Sequence, residues 1–369
     1  MAVLPSSIII TAATGSVGCR LVPLILSLSH SHPIKLVLPT RNPDRLNELI
    51  ASTTSSTNTS PYITTAVEQG DIADPVWLGE LIASHKVDTV FLNVSGANEL
   101  TVGLNTFDLF SLPGSSVRHV VYLSMAGDFT AHTVAKEGAI RRVRAAHAAV
   151  KLALEQFLLY DGHSTDEGME LPFTWTILGP VMSNDNDLRG KQMMLRHGVF
   201  PYPLPSGSRP GPPKVDVADI ALGAWRAIED QGRRFHRRKV TIGTRERYGA
   251  EETEKLWSAA LDRQIKSRVA TCKEDLDDYE LELVDFEKLT PGFARDLRLM
   301  MESMGTRFCM RGLTDEEYQL QLDLLRREPR SYEAFINETA KKWLQEENHE
   351  PKDRTEFSIR HVDELCRTA

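Results

Sequence analysis

The chain of 369 residues is poor in cysteine: Cys19, Cys272, Cys309 and Cys366 stand far apart, and no two form a C-x-x-C pair. Such scatter supports neither a disulfide framework nor a zinc site, and it points to a reducing compartment. Long apolar runs are missing as well, none approaching the roughly 20 residues of a membrane span. The apolar start has no basic flank or cleavage site and reads as a first strand rather than a leader. Positive charge is in deficit, with 51 acidic against 43 basic residues and a formal net charge of −8. That balance argues against nucleic-acid or anionic-membrane binding. The basic cluster Arg233 to Lys239 reads as a solvated turn before a strand. What is present, 41% hydrophobic and 25% charged residues, is the composition of a globular protein. The expectation is a cytoplasmic protein.

The stretch around which the rest is organised is Ser7-Ile8-Ile9-Ile10-Thr11-Ala12-Ala13-Thr14-Gly15-Ser16-Val17-Gly18. A β-branched run reads as a buried strand, breaks into small residues, and resumes as a helix from about Cys19. In that setting glycine has physical work to do. Gly15 lets the backbone approach a pyrophosphate, Gly18 lets helix and strand pack closely, and the helix N-terminus offers free N–H groups. Thr14 and Ser16 can add hydroxyl donors. The pattern resembles the G-x-x-G-x-x-G turn of the atypical short-chain dehydrogenase/reductases. Ala12 stands where that turn usually has its first glycine, and it is expected to keep a negative φ.

Further strands are expected at Ile34–Arg41, Tyr62–Glu68, Val87–Val94, Val117–Ser124 and Phe173–Leu178, and a last one at Val240–Gly243. Helical crossovers between them make a doubly wound parallel α/β sheet, whose ligands bind at the carboxyl ends of the strands. Arg41, with Arg45 nearby, ends the second strand, where a basic residue tolerates the 2′-phosphate of NADP. Asp71 ends the third; a helix N-cap role nearby is the alternative. Ser95 and Ser124 follow the fourth and fifth. Ala51 to Ser60, almost all Ser, Thr and Asn, reads as a mobile loop. One long helix is expected from Gly138 to Tyr160, carrying His147, Lys151 and Glu155. Phe200 to Pro213, rich in Pro and Gly, is expected to lack regular structure, with Met193, Met194, Phe200 and Tyr202 as candidate pocket walls. Beyond Gly243 the pattern is helical and charged, with Phe308, Leu320, Leu322, Leu324, Leu325, Phe335 and Trp343 as its core.

Lys151-x-x-x-Glu155, then Thr176-Ile177-Leu178-x-Pro180-x-x-x-Asn184, then Val215-Asp216-Val217-Ala218-Asp219-Ile220-Ala221 together resemble the NmrA-like family, a branch of the atypical short-chain dehydrogenases. Glu328-Pro329-Arg330-Ser331-Tyr332-Glu333-Ala334-Phe335 and Trp343 are similar to its closing segment. The chain departs from the family at Ala12, at Gly179, where relatives commonly carry arginine, and in the Ser/Thr insert. The resemblance implies an NADP-binding Rossmann domain over 1–180, with 214–243 returning to it, and a smaller, mainly helical substrate domain from 181–213 and 244–369. It implies a cofactor set of Thr11, Ala12, Thr14, Gly15, Ser16, Val17, Gly18, Arg41, Asp71, Ile72, Asn93, Val94, Ser95, Lys151, Pro180 and Val181.

The function expected is NADP-dependent reduction of a small-molecule carbonyl, enone or imine, possibilities that extend to secondary metabolism. Ordinary short-chain dehydrogenases use Tyr-x-x-x-Lys. Here His147 precedes Lys151 by four residues, so the catalytic candidates are Lys151, His147 and Ser124. The second reading keeps the dinucleotide and drops the redox step. It is a sensor acting on a regulatory protein partner, or a catalyst of ring closure on an iminium substrate. Oligomeric state stays open.

Overall fold

The computed structural model describes residues 4–56, 60–94, 98–127, 131–160, 170–205, 211–285, 288–303 and 311–347. The β-branched opening run forms β1 (Ser7–Ile10), buried along its whole length. Helices and strands then alternate: α1 (Gly18–Ser27), β2 (Ile34–Thr40), α2 (Pro43–Ser56), β3 (Ile63–Gln69), α3 (Pro75–His85), β4 (Thr89–Leu92), α4 (Glu99–Ser111) and β5 (His119–Leu123). Next come α5 (Ala131–Ala135), α6 (Ala139–Val143), α7 (Ala146–Leu159) and β6 (Thr174–Pro180). The chain continues through β7 (Met182–Ser183), a 3-10 turn, α8 (Lys191–His197), β8 (Val199–Pro205), β9 (Lys214–Val215), α9 (Val217–Asp230) and β10 (Arg238–Ile242). It closes with α10 (Ala250–Leu261), β11 (Lys266–Ala270), α11 (Lys273–Asp285), α12 (Pro291–Ser303), α13 (Asp315–Leu325) and α14 (Tyr332–Glu347).

Seven strands form one parallel sheet in the order β10-β6-β5-β4-β1-β2-β3. This is the doubly wound α/β architecture, with a helical C-terminal extension. The strand order reverses beside β1, between β4 and β2, so the crevice for a ligand opens at the carboxyl end of β1. Side chains alternate across the sheet: Ile8 and Ile10 enter one core and Ile9 the other. The core that holds Ile8 continues through α9 into Trp257, Leu324, Leu325, Tyr332, Phe335 and Trp343. Trp257 and Trp343 stack with centroids 5.1 Å apart. The C-terminal helices therefore share buried surface with one face of the sheet. Among the described residues no helix is long and apolar enough to cross a membrane.

Several sequence expectations need correction. The polar stretch after Ile50 is helical as far as Ser56, because its hydroxyls bond back along the helix: Thr53 to the Leu49 carbonyl at 2.8 Å and Thr54 to Ala51 at 3.0 Å. The helix expected from Gly138 to Tyr160 breaks at Arg144, which has φ 58. The break lets Asp296 of α12 accept the Ala146 N–H at the new helix start. The proline-rich segment is extended over Val199–Pro205 and pairs with β11. The pairing slips between Ser267 and Val269, so the stretch of β8 that carries Pro201 and Pro203 is passed without a regular ladder. Met194 and Phe200 are buried core residues instead of pocket walls. The Tyr202 side chain, Phe308 and Ser95 lie outside what is described. Leu320 and Leu322 are half-buried, whereas Leu324, Leu325, Phe335 and Trp343 are buried.

Candidate functional site

The turn after β1 is closed by a hydrogen bond from the Gly15 N–H to the Ala12 carbonyl at 2.9 Å. Ala12 reaches that geometry with φ 50, in the left-handed region, contrary to the negative φ expected from its sequence. The conformation costs an alanine on the order of 1–2 kcal/mol. Ala12 is exposed and lines the cleft. Gly18 is required by close approach: a Cβ there would lie 2.3 Å from the Ala12 oxygen and 2.5 Å from the Ala13 carbonyl. Among the described residues no side chain caps α1 at Val17, but the Cys19 N–H donates to the Gly15 carbonyl at 2.8 Å and the Arg20 and Leu21 N–H groups donate to the Val17 carbonyl, so the turn satisfies most of the first-turn donors itself. Thr11 is a strap between strands. Its hydroxyl accepts the Asn93 N–H at 2.7 Å and lies 3.0 Å from the Asn93 carbonyl, which commits it to the fold.

From this turn a cleft of about 730 Å³ runs along the ends of β1, β2, β3 and β4. Ala12, Thr14, Gly15, Ser16, Arg41, Asp71, Ile72, Asn93 and Val94 line it, as does Arg45. Arg41 and Arg45 are exposed on one wall, and neither guanidinium has a partner among the described residues. Asp71 accepts the Ala73 N–H at 3.0 Å in a tight turn. The cap of α3 is Asp74, bonded to Val76 and Trp77, so Asp71 does not serve as that cap. Val17, Gly18, Pro180 and Val181 do not line the cleft. Val17 and Val181 belong to the core, and the Pro180 carbonyl accepts the Ala126 N–H at 2.8 Å.

Lys151 does not itself line the cleft; it stands behind the lining residues Val94 and Glu99, between β4 and β5. Its ammonium donates to the Val94 and Leu123 carbonyls, each at 3.0 Å, and lies 2.5 Å from Glu99 Oε1. Burial pulls the lysine below its usual range, and the Glu99 charge opposes that shift. A surface pair with Glu155, the alternative suggested by the i, i+4 spacing, does not form. Glu155 is buried and binds Ser124 and Lys239 instead. Tyr122 lies beneath, 5.4 Å from the lysine nitrogen, its phenol pushed upward by burial and then by Glu99 and Glu155. His147, one turn before Lys151, is held through Nδ1 by Asp296. Burial works to raise the Asp296 carboxyl, but the His147 and Ala146 bonds prevail and hold it below the usual range.

The structure thus brings together Ser124, Lys151 and the ends of β4 and β5, with His147 tethered to α12. Glu99, Lys239 and Asp296 went unnoticed in the sequence. Glu99 had one local sign, an acidic first helical turn; Lys239 was hidden in a basic cluster, and Asp296 in a charged helix.

The chain is similar in structure to a nucleoside-diphosphate-sugar epimerase from Staphylococcus aureus, with a TM-score of 0.65 and 15% identity over 90% of this chain and 99% of that one. It is also similar to an NADPH-dependent quinone oxidoreductase from Escherichia coli, solved with NADPH, with a TM-score of 0.64 and 17% identity over 91% and 99%. A triphenylmethane reductase from Citrobacter sp., solved with NADP(H), gives a TM-score of 0.63 and 15% identity over 90% and 99%. Identities this low establish the fold and nothing finer. No family model matches the chain, and no curated protein sequence matches it.

Proposed function

We propose that the protein is an NADPH-dependent oxidoreductase of the NmrA-like kind, reducing a small organic carbonyl, enone or imine. The observation that carries the reading is the pair Arg41 and Arg45. Two guanidinium groups with no partner among the described residues stand on the cleft wall where β2 ends, across from a glycine turn too tight for a Cβ. Structural neighbours solved with NADPH or NADP(H) support it. The start of α1 and the turn Thr14–Ser16 would hold the pyrophosphate. Arg41 and Arg45 would hold the 2′-phosphate through charge-assisted bonds. Lys151 and Glu99 would hold the nicotinamide ribose. When bound, the cofactor supplies a hydride. Asp296 fixes the His147 ring through Nδ1, which leaves Nε2 to donate a proton. Residues 181–213 and 244–369 would set substrate choice.

A second reading, dinucleotide binding without redox chemistry, is favoured by one observation: the Lys151 ammonium is already divided among two carbonyls and Glu99. Titration with NADPH and NADH, followed by an NADPH-oxidation screen over carbonyls, enones and imines, separates the two. NADPH should bind more tightly than NADH. Arg41→Ala should weaken NADPH on the order of tenfold or more, the worth of a charged hydrogen bond, and leave NADH nearly unchanged. Equal affinity of the parent protein for both cofactors would remove the NADP assignment. Tight NADPH binding without oxidation of any acceptor would favour the second reading.

A further inference from the structure

Behind the carboxyl end of β5 two buried side chains and one half-buried lysine are joined in series. The Ser124 hydroxyl donates to Glu155 Oε1, and both residues are almost fully enclosed, at 5% and 3% exposure. Lys239 closes the series, its ammonium 2.7 Å from Glu155 Oε1 and 2.9 Å from Oε2. Lys239 belongs to β10, the outermost strand, and must cross β6 to reach Glu155 on α7. It crosses at Gly179. A Cβ on Gly179 would stand 2.9 Å from Lys239 Cε and 3.1 Å from the Met125 carbonyl oxygen. The missing side chain at 179 is the corridor through which the lysine passes.

A buried carboxylate without a cation is strongly destabilising, because the medium around it cannot solvate the charge. A hydroxyl has a single hydrogen, and Ser124 directs its own inward to Glu155. With its hydrogen committed to Glu155, the oxygen is left with its two lone pairs and can act toward any further group only as an acceptor. If Glu155 lost its cation, it would take up a proton or move, and the serine would lose the acceptor that fixes its rotamer.

We propose that Lys239, threaded across Gly179, is a positioning residue that neutralises Glu155 and thereby locks the Ser124 hydroxyl in one orientation at the active end of β5. The proposal rests on the oxidoreductase reading for its catalytic consequence, but the lock itself is a property of the folded chain and is tested without cofactor.

The test is a set of unfolding measurements on the full chain at about pH 5 and about pH 8. Lys239→Met should raise the unfolding equilibrium constant on the order of a hundredfold at the higher pH, the penalty for an orphaned buried charge. The effect should be smaller at the lower pH, where the carboxyl can take a proton in place of the lost ammonium. Lys239→Arg guards against a parent variant that fails to fold. Ser124→Ala should cost several-fold in the parent and nearly nothing in Lys239→Met, the non-additivity of residues in one network. Where NADPH oxidation is found, Lys239→Met should lower kcat with little change in the KM for NADPH. Additive Ser124 and Lys239 effects, or a Lys239→Met loss equal at both pH values, would overturn the proposal. If no acceptor is ever reduced while the coupling holds, the oxidoreductase reading fails and the lock stands.

Discussion

Acid should weaken this fold through His119. The residue sits on β5 with no exposed surface, its Nδ1 2.8 Å from Thr174 Oγ1 and its Nε2 3.1 Å from the Ala227 carbonyl. A carbonyl can only accept, so Nε2 carries the hydrogen, and Nδ1 faces the Thr174 hydroxyl, whose single hydrogen it shares with the Arg118 carbonyl 3.1 Å away. A second proton would put a charge in the core and turn an accepted bond into a clash of donors. Burial accordingly lowers the pKa from 6.5 to about 4, against the pull of the Ala227 carbonyl and of Asp230. Because the folded value lies below the unfolded one, the unfolded chain binds more protons between them. Stability from this group is complete above about pH 6.5 and drains away as the pH falls through about 4. A displacement from 6.5 to about 4, at about 1.36 kcal/mol per unit, amounts to about 3 kcal/mol. The assay is urea unfolding of the parent and of His119→Gln at steps between about pH 4 and about pH 8, where differencing the two cancels the carboxylates common to both. The parent's advantage should be flat near neutrality and shrink by about 3 kcal/mol toward the acid end. Parallel curves across that interval would refute the assignment of a neutral, unprotonatable His119.

Two further outcomes bear on the site. Gly18→Ala should weaken NADPH binding at least about tenfold and cost about 1–3 kcal/mol of stability, since its methyl would lie 2.3 Å from the Ala12 oxygen; cofactor titration and unfolding midpoints check both, and unaltered binding would show that the turn does not touch the cofactor. His147→Phe should cut turnover on the order of 10²–10⁴-fold while leaving the cofactor dissociation constant nearly unchanged, with Asp296→Asn giving a smaller loss through the same ring; turnover equal to the parent's in His147→Phe would make the residue an anchor for α12 and no more.

Much of the architecture was legible in the residues because strand and helix write their burial into the chain at periods of two and 3.6. Ile8, Ile9 and Ile10 announced a doubly buried strand, and Gly15 and Gly18 announced the corner after it. Arg41 was placed at a strand end by pattern alone, since a parallel sheet brings every strand end to one rim. Local pattern was silent where a choice depended on what stood opposite. Ala12 takes a positive φ in the turn that the Gly15 N–H closes onto its carbonyl, a geometry that the residue type at 12 does not encode. The helix after Gly138 breaks because Asp296, 150 residues from Ala146, accepts the N–H that starts α7. Lys239 looked like one more solvated cation in a basic run. Strand order lays β10 against β6, Gly179 leaves the passage, and Glu155, 84 residues away, waits at its end. Sequence periodicity determines which face of an element is buried, whereas the partner of a buried charge is decided by which elements the sheet sets side by side.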